Sequence, residues 1–169
     1  RSGADWAPAA LVVTKTLDQR HGIAYVSEPI NAETEISGLM TGKLDFISNK
    51  RDVDLGVMLY EKMENGDYFL LTYHLGRASY AIDRSKRQLL KPGKQQRVDF
   101  RSERLVSRKL QAGSQLVIVL QVIKQSDQQI NYGTGKDVSI ESINDSGQPL
   151  EIQWSGSSYV ELPIWREDQ

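Results

Sequence analysis

Apolar residues in this chain recur at every second position far more often than at every third or fourth, and that period restricts it to folds built from strands. In Val53-Asp54-Leu55-Gly56-Val57-Met58-Leu59-Tyr60 every odd position is valine or leucine. That places Val53, Leu55, Val57 and Leu59 on one face of a strand. Leu150, Ile152 and Trp154 alternate with Glu151 and Gln153. After Ser155-Gly156-Ser157, the residues Ser158, Val160, Leu162 and Ile164 share a face. These two runs read as an antiparallel hairpin with one side toward a core. Residues 116–123, Leu-Val-Ile-Val-Leu-Gln-Val-Ile, are almost continuously apolar and β-branched, the composition of a central strand covered on both faces. Leu116, Ile118 and Leu120 are therefore expected in one core with Val57, Leu59 and Ile152.

Shorter strand candidates are residues 10–14, 23–27, 35–40, 43–48, 68–73 and 97–100. Turn signals separate them: Glu28-Pro29, Thr41-Gly42, Asn65-Gly66, Lys91-Pro92-Gly93, Ala112-Gly113 and Asp145-Ser146-Gly147. Asn65-Gly66 is the strongest, because both residues tolerate positive φ. Residues 78–90 have mixed apolar spacing and read either as one short helix or as an irregular crossover. Many short strands at this spacing indicate an all-β, mostly antiparallel sandwich or barrel. No repeat, low-complexity tract or linker divides the 169 residues, so one domain spans them, with residues 1–16 as a lead-in segment.

The sequence excludes more chemistry than it suggests. A formal net charge of −1 argues against nucleic-acid binding, which calls for a basic excess on one face. The densest basic stretch, residues 84–108, is interleaved with Asp99 and Glu103 and reads as solvated strand faces and turns. The chain has no cysteine, which rules out disulfides and thiolate metal sites. A cysteine-free chain suits the cytoplasm without excluding export. Its purely apolar runs, such as residues 116–120, are far too short to cross a bilayer. The chain opens at Arg1-Ser2-Gly3 rather than methionine and is expected to be a piece of a longer polypeptide, whose upstream part decides between cytoplasm and periplasm or secretion.

Serine-based hydrolysis needs a base beside the nucleophile and a third group to orient it. Only His21, before Gly22 at a turn, and His74, after a strand-like run, are available, and both read as exposed or locally hydrogen-bonded. The elbow Gly-x-Ser-x-Gly is absent, and Gly156-Ser157-Ser158 lacks its spacing. Asp52-x-Asp54 opens like a calcium loop, but Gly56 stands at the third ligand position and Met63 where a bidentate glutamate is required. Among 22 acidic residues no pair stands out for glycoside cleavage. No metal or other cofactor is implied.

The segment Asn131-Tyr132-Gly133-Thr134-Gly135-Lys136-Asp137 is the most unusual in the chain. Gly135-Lys136 hints at a phosphate loop, but Ile130 and Asp137 stand where that loop needs glycine and Ser or Thr. Two glycines so close allow a tight turn or close approach to another surface. Two readings stay open: a structural turn, and a loop that touches a partner domain or lines a pocket. The loop Asn131–Val138 is the expected edge of an apolar contact patch, because Tyr132 lies among polar residues and glycines with no strand face to join.

The same segment, extended to Val138 and followed by Glu141-Ser142-Ile143-Asn144-Asp145, Pro149-Leu150, Trp154 and Ser158-Tyr159-Val160-Glu161-Leu162-Pro163-Ile164, resembles the closing segment of the cocaine esterase/glutaryl acylase (CocE/NonD) hydrolases. These are relatives of the X-Pro dipeptidyl peptidases. Tyr25-Val26-Ser27-Glu28-Pro29-Ile30 with Glu35-Ile36-Ser37-Gly38 resembles the start of that family's C-terminal domain. Gly76-Arg77-Ala78-Ser79-Tyr80 with Lys91-Pro92-Gly93 resembles its middle. The resemblance covers residues 17–165. It implies a jelly-roll, galactose-binding-like sandwich packed on an upstream α/β-hydrolase domain of the same polypeptide. That domain would hold the whole Ser-His-Asp triad, so no catalytic residue is expected in this chain. The expected role is to support that domain and help shape its substrate cleft, with homo-oligomerisation left open. The rival reading from another class is a carbohydrate-binding module, which needs an exposed aromatic platform. Trp154 shares a face with Leu150 and Ile152 and is expected in the core. A second rival, an independent enzyme with an unrecognised carboxylate site, has no residues to recommend it.

Overall fold

Alternation of apolar and polar residues becomes two packed layers of antiparallel strands in a computed structural model that describes residues 12–19, 21–124 and 129–165. The strands are β1 (Val13–Thr14), β2 (Gly22–Val26), β3 (Thr34–Gly38), β4 (Thr41–Ser48), β5 (Asp54–Lys62) and β6 (Tyr68–Arg77). They continue with β7 (Gln95–Arg101), β8 (Val106–Leu110), β9 (Gln115–Val122), β10 (Ile152–Trp154), β11 (Tyr159–Glu161) and β12 (Ile164–Trp165). One layer is a sheet in the order β1-β6-β5-β9-β2. Facing it are two smaller sheets, β12-β3-β8 and a group centred on β4, with β7 along one edge and β10 and β11 along the other.

The core lies between the layers. Leu55, Val57 and Leu59 of β5 and Leu116 and Leu120 of β9 meet Ile36, Leu44, Phe46, Val98, Phe100 and Leu110 from the opposing sheets. The expectation for β9 holds in position, since it sits between β5 and β2. Both of its faces are largely covered, Val117 and Val119 being buried on the face away from Leu116 and Leu120. Ile118 and Ile152 are half-buried at the margin of the core rather than deep in it. Trp154 packs on Phe46 with ring centroids 5.5 Å apart, as its strand face predicts.

Two turn readings need correction. Thr41-Gly42 lies inside β4, not in a turn. A side chain at Gly42 would stand 2.4 Å from the Tyr159 carbonyl and 2.6 Å from the Phe100 ring, so glycine is there to let strand and ring approach. Residues 150–154 and 158–164 do not form a hairpin. β10 pairs with Phe46 to Ser48 and β11 with Thr41 to Lys43, both antiparallel, so they are two halves of one interrupted edge strand along β4.

The interruption wraps Asp45. The Ser155 amide and Ser158 hydroxyl donate to the Asp45 carbonyl at 2.8 and 3.1 Å, and the Ser157 hydroxyl donates to its carboxylate at 2.7 Å. Residues 78–90 resolve to a crossover with one 3-10 turn, Ala78–Tyr80, and two further 3-10 turns follow at Val138–Ile140 and Ile143–Asp145. Among the described residues no helix is long and apolar enough to cross a membrane.

Leu59 is fully buried at the centre of the five-stranded sheet. Leu59→Ala is expected to lower unfolding free energy by about 2–5 kcal/mol, the cost of a large-to-small core change. Tyr25→Ala, at a side chain 54% exposed on edge strand β2, should stay within about 0.5 kcal/mol. Urea denaturation of both variants measures the contrast.

Candidate functional site

The unusual segment folds as a tight double turn that two glycines make possible. Gly133 and Gly135 have φ of +77° and +87°, a region where side chains are strained. At Gly133 an added Cβ would lie 2.7 Å from the Asp52 carbonyl and 2.8 Å from Lys50 Cβ, so the loop presses its backbone onto the β4–β5 connection. The Arg51 amide donates to the Gly133 carbonyl across this contact at 2.9 Å.

Side chains fix the loop from several directions. Asn131, buried, donates to Asp54 at 2.8 Å and accepts from the Gly133 amide at 2.9 Å. Asp54 in turn forms a two-pronged pair with Arg77 at 2.8 and 2.9 Å, which raises the Arg77 pKa. Arg87 donates to the Lys136 carbonyl at 2.7 Å and the Gly135 carbonyl at 3.3 Å, and with the same guanidinium to Asp52 at 3.0 Å. Asp52 also accepts from the Ser79 amide and hydroxyl at 3.1 and 2.7 Å, so one buried carboxylate ties loop, crossover and strand start together. Asp52 and Asp54, the two carboxylates resembling the opening of a calcium loop, are thus structural anchors.

Glu141 explains why the loop offers no phosphate cradle. The amides of Tyr132 and Thr134 donate to its carboxylate at 2.8 and 3.0 Å, and the Thr134 hydroxyl joins them. Converging backbone N–H groups in a positive-φ turn are an anion site, and here the chain supplies its own anion. Lys124 donates to the Asn131 carbonyl at 2.7 Å and sits 5.5 Å from the Tyr132 ring centroid. Burial lowers the Lys124 pKa. Tyr132 itself is half-buried.

Downstream, Asp137 caps the turn Val138–Ile140 by accepting from the Ser139 amide at 2.9 Å, a bond that lowers its pKa. Lys136 pairs with Asp145 at 2.5 Å. Together with the Ser142 hydroxyl and amide, that pair holds the Asp145 pKa down at about 2.

The histidines stay apart from this site. His21 is exposed in a turn. His74 follows the second of its two readings, hydrogen-bonded rather than exposed: it is buried, stacked on Phe100 at 5.3 Å and bonded to the Arg101 carbonyl at 3.0 Å. Burial lowers its pKa despite Glu103 at 3.4 Å. Among the described residues no cluster of three His, Asp or Glu side chains is placed to hold a metal. Elsewhere, a cleft beside β3 is lined by Glu28, Pro29, Asn31, Glu33, Glu35 and Trp165.

The loop is conspicuous in the sequence and its partners are not. The basic stretch 84–108 carries three of the structure's counterions: Arg87 for Asp52, Arg97 for Asp45 at 3.0 Å and Arg108 for Glu61. The period-two rule applied to β8 would have flagged Arg108, which shares its inward face with Val106 and Leu110.

Residues 3–139 match the family described as the X-Pro dipeptidyl-peptidase C-terminal non-catalytic domain. No curated protein matches the chain. Among solved structures, an aminopeptidase from the marine sediment archaeon Thaumarchaeota archaeon superposes with TM-score 0.80 at 14% identity, covering 88% of this chain and 26% of that one. An α-amino acid ester hydrolase gives TM-score 0.77 at 19% identity, over 86% and 26%. A CocE/NonD family hydrolase from Staphylococcus aureus gives 0.62 at 15%, over 88% and 31%. At these identities the likeness is one of fold. This chain spans about a quarter of the length of the first two.

Two measurements probe the site's construction. Gly133→Ala should destabilise the domain by about 1–3 kcal/mol more than Gly147→Ala, because both have positive φ but nothing lies within 4 Å of a Cβ at Gly147. Thermal melts of the pair test this. Asp145 has a folded pKa depressed from 3.8 to about 2. Its stabilisation is therefore complete above about pH 4 and lost as pH falls toward 2. Lys136→Met, which removes the largest cause of the shift, should flatten that part of the stability–pH profile.

Proposed function

Because the chain belongs to the X-Pro dipeptidyl-peptidase C-terminal non-catalytic domain family, we propose that it is the accessory sandwich of a larger serine hydrolase. It supports an α/β-hydrolase domain of the same polypeptide and helps shape that domain's substrate cleft. The parent would cleave an ester or amide by acyl transfer through a serine, with water releasing the acyl group.

The observation that carries this reading is the family match over residues 3–139. Two others agree with it. The fold occurs as about a quarter of hydrolase and aminopeptidase chains. Within the described residues, the unusual loop spends its polar groups on its own chain. In the proposed arrangement Asn131, Tyr132, Gly133, Thr134, Gly135, Lys136 and Asp137 form a preshaped element that meets the hydrolase domain.

One observation favours a second reading, carbohydrate binding. Trp165 is 68% exposed beside Glu28, Asn31 and Glu33 in the cleft next to β3, an aromatic face with carboxylates and an amide around it. Oligosaccharide titration monitored by tryptophan fluorescence separates the two. Sugar-dependent quenching abolished by Trp165→Ala would favour the binding module.

The proposed function is tested on the full polypeptide with a fluorophosphonate probe. The expected label falls on a serine outside these 169 residues, and the fragment alone hydrolyses chromogenic esters no faster than buffer. Hydrolysis by the purified fragment that disappears in His74→Ala or His21→Ala would overturn the reading.

A further inference from the structure

Just beyond the loop, the chain presents two isoleucines to solvent on a frame it has taken care to stiffen. Ile140 and Ile143 are each 70% exposed. They lie on the consecutive 3-10 turns Val138–Ile140 and Ile143–Asp145. Asp137 caps the first turn through the Ser139 amide. Asp145 closes the second, accepting from the Ser142 amide at 2.9 Å and hydroxyl at 2.8 Å while its own amide donates to the Ser142 carbonyl at 3.0 Å. Between them Glu141 reaches back to the loop amides, Val138 is buried, and Lys136 pairs with Asp145. At the far end the Lys50 ammonium donates to the carbonyls of Ser146 and Gln148.

Single exposed apolar residues are ordinary on protein surfaces. Two on one short segment, stiffened by its own caps and tied to the domain in the middle by Glu141 and at the far end by Lys50, are not explained by the domain's own packing. Presenting them rigidly removes the ordering cost that a flexible segment would incur on association.

Resting on the proposed accessory role, we infer that Ile140 and Ile143 anchor the sandwich in an apolar recess of the hydrolase domain of the same polypeptide. Chain length supplies the occupant, since this fold is 26% of the aminopeptidase and ester hydrolase chains it superposes on and the remainder lies elsewhere in those polypeptides. A second copy of this chain fits less well. A symmetric contact needs a complementary surface on the same fold, and the cleft described above is walled by Glu28, Glu33 and Glu35, which would have to be desolvated against isoleucine.

The test uses the full polypeptide with a benzophenone amino acid placed at Ile143, and in a parallel variant at Ile23 on edge strand β2, where the side chain is 43% exposed. Both positions are exposed, so folding should survive the replacement. The expected result is a cross-link from position 143 to a peptide upstream of residue 1 in a product of monomer mass. With the benzophenone moved to the exposed Asn144, the double variant Ile140→Asp, Ile143→Asp should lose the upstream cross-link that the same probe gives when both isoleucines are present. Cross-links that join two copies at dimer mass, upstream cross-links from position 23 but not 143, or none from position 143 would each overturn the inference. Fluorophosphonate labelling of the same preparation reports on the hydrolase reading separately, because it does not depend on where the sandwich docks.

Discussion

A carboxylate withdrawn from water is costly unless a cation and a hydrogen-bond donor replace the solvent, and the connections of this sandwich depend on that exchange being made three times. Asp45, Asp52 and Glu61 have side chains no more than 2% exposed. Each takes one arginine, Arg97, Arg87 and Arg108 respectively, and one serine hydroxyl, from Ser157, Ser79 and Ser114. In every case at least one partner lies on a connection or on a strand of the opposite layer. Asp45 holds the break between β10 and β11. Asp52 draws the crossover and the 131–137 loop onto the end of the sheet. Glu61 links β5 to β8 and to the start of β9, with the Arg108 guanidinium lying 3.9 Å over the Phe69 ring. No buried side-chain nitrogen or oxygen among the described residues lacks a partner. Apolar burial drives the layers together, and these three sites decide where the irregular chain between strands must lie.

This division also explains what was legible in the sequence. A strand with one face in the core repeats its chemistry every two residues, so β5 and β9 were readable from Val53 to Leu59 and from Leu116 to Val122. β8 was not, because Val-Ser-Arg-Lys-Leu puts a charged residue at its central inward position, and only the distant Glu61 makes that position tolerable. The hairpin expected near the end failed for a related reason. Alternation reports which face a residue takes and carries no information on which strand it pairs with. Pairing was decided by Asp45 gathering Ser155, Ser157 and Ser158.

The loop 131–137 was conspicuous by its glycines, yet its meaning lay in Asp52, Asp54, Arg87 and Glu141, three of them distant in sequence. Glu141 was close enough to find. A carboxylate a few residues beyond a glycine-rich turn is a candidate to fill that turn from within, which separates such loops from those that wait for phosphate. Nothing in the sequence marks Ile140 and Ile143 as exposed, because two isoleucines three positions apart look like ordinary core until burial is known.

The broken edge strand also has a temporal side. Until residues 152–161 exist, β4 has partners along one side only, and β10 and β11 meet it across more than one hundred intervening residues. Contacts of such separation are slow to form, since a long loop must close before any pairing rewards it. On a ribosome, the sandwich cannot close its second layer until nearly its last strand has emerged. Anything encoded upstream would by then have had the length of the whole domain in which to fold. The final strands therefore act as a latch that is thrown late, sealing a layer that has stood half-open throughout synthesis.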